Sequence, residues 1–273
     1  MKNMLENNNN KKWDFWIDRG GTFTDIVARD PDGKIFTDKL LSVNARLYAD
    51  AGMEGIKRFL KVPHAAKIPV DSINSIKMGT TVATNALLER KGVPVVLLTT
   101  EGLKDQLRIA YQNRPNLFDR KIILSDPLYD HIIEVEERIT SIGEVLRPLN
   151  KEKLFNDLRK IENIKEKSCA IVFMHSCKFS KHEREAEEVA KDLGFSHVSV
   201  SYKTSQIMKY VMRGDTTVAD AYLSPVLNKY IENLYSEFDR DISSKISFMQ
   251  SNGGLTNAAL FTGKDSILSG PAG

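Results

Sequence analysis

Residues Trp16 to Val27 read WIDRGGTFTDIV, two apolar stretches joined by Asp-Arg-Gly-Gly-Thr. Apolar side chains before the polar centre (Phe15, Ile17) and after it (Phe23, Ile26, Val27) predict two buried strands joined by a hairpin. A turn needs only small residues, yet this one adds the carboxylates of Asp18 and Asp25 and the hydroxyls of Thr22 and Thr24. Gly20 and Gly21 can take positive φ and admit a ligand close to the backbone. Successive N–H groups there would form an anion nest, which Thr22 and Thr24 would complete from one strand face. Asp18, at the end of the first strand, is placed to hold the water shell of Mg²⁺. There is no GxxxxGK motif and the glycines open no helix, so neither a P-loop nor a dinucleotide loop fits. On these residues alone, an ordinary Gly-Gly hairpin is the competing reading.

Working outward, Asp30 to Gly33 (DPDG) has the composition of a type I turn and predicts a second hairpin. A helix is expected from about Tyr48 to Lys61. Strands and helices then alternate: INSIKMG, the helix TTVATNALLERKG with Arg90 and Lys91 in its last turn and Gly92 beyond, and VPVVLLTT. A helix starting near Glu101, an irregular YQNRPNLFDRK and a strand in HIIEVEERIT come next. They are followed by a helix over 151–161, the strand SCAIVFMHS, the helix KHEREAEEVAKDLG and the strand HVSVS. A long helix over about 215–238 should kink at Pro225. The strand ISFMQ, a Gly pair at 253–254 and the terminal LSGPAG follow. Hairpins first and alternation afterwards predict an α/β fold, a mixed sheet with flanking helices.

The 273 residues suffice for one large domain or two ordinary ones. A 41% apolar and 27% charged composition with net charge +3, both signs interspersed, is that of a globular chain and not a nucleic-acid footprint. No apolar run approaches the roughly 18 residues of a membrane span. The first dozen residues, with Asn7 to Asn10, read as a disordered tail without a secretory core. Cys169 and Cys177 match no CxxC spacing and suggest reduced thiols in the cytoplasm.

Within TTVATNALLER, Thr81, Thr84 and Asn85 form a polar ridge made of mediocre helix formers, which points to the lining of a cleft or to caps and a solvated amide. Arg114 is a candidate for a substrate carboxylate or a surface residue before Pro115. Ser251 to Gly254, with Asn252 and Gly253 at the centre, reads as a polar loop over the cleft or a plain turn. His175, Cys177 and His182 match no metal spacing. The charges of KHEREAEEVAKDL read as the wet face of an amphipathic helix.

IDRGGTFTDIV, MGTTVATNALLERKG, MHSCKFSKHE, QSNGGL and LSGPAG together resemble the hydantoinase/5-oxoprolinase family over Trp13 to Gly273. LLSVNARLYADAGMEGIKR and RGDTTVADAYLSPVLNKYI resemble its single-chain, ATP-dependent 5-oxoproline-opening members. The resemblance implies an actin-like ATPase (ribonuclease H-like) fold, here the first lobe plus the start of a truncated second region. It implies a tail over 1–12, an N-terminal domain over 13–200 and the start of a hydantoinase A-type domain over 201–273. The implied cofactors are ATP and Mg²⁺. The implied substrate is a cyclic amide, 5-oxoproline, whose ring opening is uphill unless coupled to ATP. In that scheme Asp18 (also the metal ligand) and Asn85 are catalytic, and Gly20, Gly21, Thr22 and Thr24 contact the nucleotide. Thr81, Thr84, Arg114, Asn252 and Gly253 face substrate. The family's second phosphate loop would follow LSGPAG, so the isolated chain is expected to be inactive, with a C-terminal partner chain as one way to complete it and no nucleic acid or membrane involved. The alternatives are a non-catalytic remnant or binding module, or a hydantoinase- or carboxylase-type subunit that works with partner chains.

Overall fold

The computed structural model describes residues 12–272 apart from 45, 113–115 and 117. Residues 1–11 of the tail expected over 1–12, and Arg114, therefore lie outside the described residues. Three antiparallel strands come first: β1 (Trp13–Arg19), β2 (Phe23–Arg29) and β3 (Ile35–Leu41). Then follow α1 (Ala51–Leu60), β4 (Ile73–Thr80), α2 (Val82–Leu88), β5 (Val95–Thr100), α3 (Gln106–Ile109), β6 (Tyr129–Val135), β7 (Arg138–Ile139) and β8 (Val145–Arg147). The chain continues through α4 (Lys151–Leu158), β9 (Ser168–Val172), α5 (Lys181–Asp192), β10 (His197–Val200), α6 (Ser201–Thr204) and α7 (Tyr210–Tyr235). It closes with β11 (Ile246–Met249), β12 (Leu255–Asn257), α8 (Gly263–Ser266) and α9 (Ser269–Ala272).

Two compact units result: Met1–Lys91 with Leu227–Gly273, and Gly92–Val226. The first is built on a mixed sheet of order β12-β11-β4-β1-β2-β3, in which β1, β4 and β11 run parallel. One face of this sheet carries Phe15, Ile17, Ile26, Ile76, Met78 and Phe248, packed with Ile56 of α1 and Leu227, Ile231 and Leu234 of α7. β2 alternates strictly, so Phe23 and Val27 point outward and only Thr24, Ile26 and Ala28 are buried. The sequence expectation of a wholly buried second strand is thus corrected; period-two geometry leaves one face open.

Asp50 caps α1 by accepting the Met53 N–H at 3.1 Å. After α2, Arg90 rather than Gly92 takes the left-handed position, with φ 55°. The Lys91 N–H then reaches Ala86 O at 2.8 Å, the bond of a Schellman cap.

Asp14, buried where β1 meets its neighbours, accepts hydrogen bonds from Arg29 Nη2 (2.6 Å), Ser75 Oγ (2.6 Å) and Asn74 Nδ2 (2.7 Å). Burial pushes its pKa up, but the bonds from Ser75, Arg29 and Asn74 outweigh it and hold the carboxyl below its ordinary 3.8. A depressed folded pKa gives stability that is present above the unfolded pKa and lost as pH falls through the folded one. Asp14→Asn is expected to cost about 1–3 kcal/mol at neutral pH. Urea unfolding should show the difference from wild type shrinking below about pH 4.

The second unit holds an all-parallel sheet of order β10-β9-β5-β6. The mixed sheet expected from the strand pattern is that of the first unit; among the described residues β5, β6, β9 and β10 form a separate parallel sheet, and β7 with β8 a two-stranded one. β5 is buried along its whole length, and Val96, Leu98, Ile171 and Phe173 pack with Leu154, Leu158, Val189 and Ala190 of α4 and α5. The helix expected from Glu101 shrinks to the four residues of α3, and α7 runs unbroken through Pro225.

At the C-terminal ends of these strands lies a buried polar cluster. Glu183 of α5 accepts from Phe173 N (2.9 Å), Tyr202 N (2.9 Å) and Ser201 Oγ (2.6 Å). The Arg213 guanidinium donates to Ser201 Oγ (3.0 Å) and to the carbonyls of Phe173 (2.9 Å), Ile207 (2.9 Å) and Met208 (3.1 Å). His182 Nδ1 meets Glu137 Oε2 at 2.7 Å. His182, Glu183 and Glu187 are buried, so α5 is not simply the amphipathic helix with a wet charged face that its sequence suggests. Among the described residues no helix is long and apolar enough to cross a membrane, and no group of His, Cys, Asp and Glu is arranged to hold a metal by itself.

Candidate functional site

The site is built at the C-terminal ends of the parallel strands β1, β4 and β11, where open α/β sheets place their ligands. Between β1 and β2 the hairpin closes through Gly20 N to Phe23 O at 3.0 Å. A Cβ on Gly20 would sit 2.9 Å from that same Phe23 oxygen, so the position admits no side chain without shifting backbone. Gly21 differs: a Cβ there meets only the Asn85 side-chain amide, Nδ2 at 3.5 Å and Oδ1 at 4.0 Å. Neither glycine is left-handed, contrary to the expectation from sequence; close approach, not positive φ, is what they provide.

The N–H groups of Gly21 and Thr22 have no acceptor among the described residues, whereas Thr22 O accepts from Ser42 N at 2.8 Å. Thr24 is fully buried with its Oγ1 3.0 Å from Ser42 Oγ, so it braces the hairpin from beneath. Asp25 pairs with Lys39 Nζ at 2.8 Å. Directly across the strand pair from Asp25, Asp18 is exposed and has no cationic partner among the described residues. Partial burial by the sheet, then the charge of Asp25, raises its pKa above the ordinary carboxylate value.

Thr81 ties α2 to the hairpin, donating both N–H (3.0 Å) and Oγ1 (3.1 Å) to Arg19 O. Thr84 Oγ1 donates to Ile267 O, and Asn85 Nδ2 lies 3.4 Å from Thr81 Oγ1. The polar ridge therefore faces the turn at Gly21 through Asn85, while its threonine hydroxyls are engaged with backbone carbonyls.

The terminal segment comes back onto the same place. Thr80 N donates to Ser269 Oγ at 3.2 Å, and a Cβ on Gly270 would lie 2.4 Å from Thr81 Cγ2. Ser251 holds this segment, donating through Oγ to Asp265 O (2.8 Å) and accepting from Leu268 N (3.0 Å). The turn that follows is local: Asn252 Oδ1 accepts from Gly254 N at 2.8 Å, and Gly253 is left-handed with open space around it. Among the described residues, Asn252 and Gly253 make no bond to the hairpin; their neighbour Ser251 holds the 265–268 segment.

Three contributors were not singled out by sequence, although each lies within a segment that carries the family resemblance: Ser42, Ser269 and Tyr230. The last is a half-buried aromatic of α7 under the Arg19 guanidinium, 5.3 Å from its ring centre. Arg19 also pairs with Asp50 at 3.3 Å.

Residues 14–194 match the family model of the hydantoinase/oxoprolinase N-terminal region, and residues 213–273 match that of hydantoinase/oxoprolinase. The chain is 43% identical to 5-oxoprolinase 1 of Arabidopsis thaliana, with 95% of this chain and 23% of the relative covered. It is 39% identical to 5-oxoprolinase of Saccharomyces cerevisiae, with 94% and 23% covered. The chain therefore spans about a quarter of the length of these curated relatives. Among solved structures, an ATP-dependent caprolactamase from Pseudomonas jessenii superimposes with TM-score 0.77 at 27% identity, over 95% of this chain and 39% of that one. A nucleotide-free acetone carboxylase gives TM-score 0.72 at 22% identity, over 95% and 39%, a likeness of fold alone. The α/β class expected from the sequence, the actin-like ATPase (ribonuclease H-like) arrangement, is the one observed.

Proposed function

Because the chain belongs to the hydantoinase/oxoprolinase family, we propose that it supplies the first phosphate loop of an ATP-dependent 5-oxoprolinase, which opens 5-oxo-L-proline to L-glutamate within glutathione metabolism. The observation that carries this reading is the pair of amides at Gly21 and Thr22, without an acceptor among the described residues, beside Asp18, without a cationic partner among them, with the Asn85 amide opposite.

These residues fit Mg·ATP. Two adjacent N–H groups suit phosphate oxygens, and a carboxylate without a cation suits a magnesium ion that keeps most of its waters. When bound, Mg·ATP supplies the phosphoryl group that makes an amide oxygen a leaving group. Asp18 holds the ion's water shell, and the Gly21 and Thr22 amides orient phosphate oxygens. Gly20 keeps the backbone close, and Thr24 fixes the hairpin. Asn85 orients the lactam or the transferred group, with Thr81 and Thr84 holding its helix. Asn252, Gly253 and Arg114 remain on the substrate side of the proposal.

We extend the reading to residues 13–200 as the N-terminal domain and 201–273 as the start of the next. Turnover then requires the remaining length of the relatives, supplied in the same or a partner chain. The free thiols Cys169 and Cys177 suit the cytosol.

Equilibrium binding of Mg·ATP to the chain tests the loop. Asp18→Asn is expected to weaken it about tenfold and to remove its dependence on Mg²⁺. Since a raised folded pKa gives stability that is lost as pH rises through it, the same variant should be slightly more stable at neutral pH. Equal affinity with and without the carboxylate, or in EDTA, would overturn the assignment. Lactam-dependent ADP release should be absent for this chain alone and appear when the rest of the relatives' length is added.

A further inference from the structure

Side chains alternate along β1, so Arg19 leaves the sheet on the face opposite Asp18, the face covered by α1 and α7. Its Nε donates to Asp50 Oδ2 at 3.3 Å, and its guanidinium lies over the Tyr230 ring. The paired side chains are only 16% and 11% exposed, so removing either would leave the other with a largely buried charge. Asp50 spends its second oxygen on the Met53 N–H, the cap of α1. Tyr230 is fixed in turn, its hydroxyl 3.7 Å from Met78 Sδ of β4. Close packing at Gly52 brings α1 within this reach: a Cβ there would lie 3.1 Å from Met78 Cε and 3.2 Å from Ile17 Cγ2.

The main chain of Arg19 is held as well. Its carbonyl accepts both the N–H and the hydroxyl of Thr81, and the next nitrogen, Gly20 N, donates to Phe23 O. The peptide between Arg19 and Gly20 therefore has both its polar atoms bonded, and the side chain that leaves it is tied to α1 and α7. Immediately before this peptide stands Asp18. Immediately after it come the Gly21 and Thr22 amides, without an acceptor among the described residues.

We propose that Arg19 is a positioning residue of the phosphate turn: clamped by Asp50 and Tyr230, it fixes the direction in which the Asp18 carboxylate and the Gly21 and Thr22 amides project. A turn ordered in advance pays no ordering cost when phosphate arrives, so loss of the clamp shows as weaker binding. That these groups meet Mg·ATP rests on the function proposed above; the clamp rests on the geometry of Arg19.

Two variants test it. Arg19→Gln removes the cation. Asp50→Asn removes its partner but keeps an oxygen for the Met53 N–H, so it separates the clamp from the helix cap and decides the matter even if Arg19→Gln fails to fold. The first readout needs no ligand: backbone amide NMR relaxation of the 273-residue chain. Order parameters of Gly21 and Thr22 are expected near about 0.85 in the wild type and near about 0.6 in both variants, with those of β4 unchanged. The second is Mg·ATP affinity where urea unfolding shows each variant folded. Each substitution should weaken it about five- to tenfold and the double variant no further, with partial recovery in Arg19→Lys. A pair that only stabilised the fold would shift the unfolding midpoint and move neither readout. Unchanged order parameters, full affinity in either variant, or additive losses would each overturn the proposal. Order lost in both variants, in a chain whose wild type binds no Mg·ATP, would instead remove the nucleotide reading and leave the clamp standing.

Discussion

Gly21→Val should leave the chain folded and cost it most of its affinity for Mg·ATP, about thirtyfold or more. The two glycines of the turn separate structure from function. At Gly20 an added Cβ meets the carbonyl that closes the hairpin, at 2.9 Å, so Gly20→Ala must distort backbone. At Gly21 the nearest atom is Asn85 Nδ2 at 3.5 Å, an ordinary contact. A valine there keeps the hairpin but places methyl groups over the acceptor-free amides of Gly21 and Thr22. Urea unfolding should then show a change within about 1 kcal/mol for Gly21→Val and a larger loss for Gly20→Ala. If Gly21→Val bound Mg·ATP as tightly as the wild type, the turn would be a structural hairpin and nothing more.

The largest loss of stability is expected in the other unit. Glu183→Ala should cost about 3–5 kcal/mol, because it strands the N–H groups of Phe173 and Tyr202 and leaves Arg213 without its Ser201-mediated acid. Arg213→Ala should cost a similar amount, since three buried or half-buried carbonyls lose their donor. Both side chains bond Ser201, so the double variant should fall short of the sum by about 0.5–3 kcal/mol in chemical denaturation. Strict additivity would show that the two groups act separately. Burial raises the pKa of Glu183. Its contribution is therefore full below the ordinary carboxylate range and declines as pH rises through the raised folded value. Glu183→Gln should lack that slope while still leaving one backbone N–H without an acceptor.

The cluster around Glu183 also shows where sequence reading stops. In KHEREAEEVAKDL the spacing marks a helix with a charged face, and the helix is there. That some of those charges are buried depends on where β9 and β10 end, since their backbone N–H groups need an acceptor at that edge. Thr24 makes the same point on a smaller scale. Period two puts it on a face with Thr22, yet Thr24 is buried with its hydroxyl on Ser42 Oγ, while Thr22 is exposed and meets Ser42 only through its backbone carbonyl.

What the sequence by itself determined was local: the hairpin of Trp13–Arg29, the alternation of strands and helices, the chemistry of the Gly-Gly-Thr turn and the family motifs. Each of these depends on neighbours within a few residues, where backbone sterics and side-chain period decide the outcome. Only the tertiary structure decided that the described strands divide into a six-stranded, a four-stranded and a two-stranded sheet. It also decided that Asn85 looks at Gly21, and that Ser269 bonds Thr80 across a separation of 189 residues. Those pairings depend on which distant backbone groups are left without partners after local structure has formed. No periodicity in the chain records that remainder.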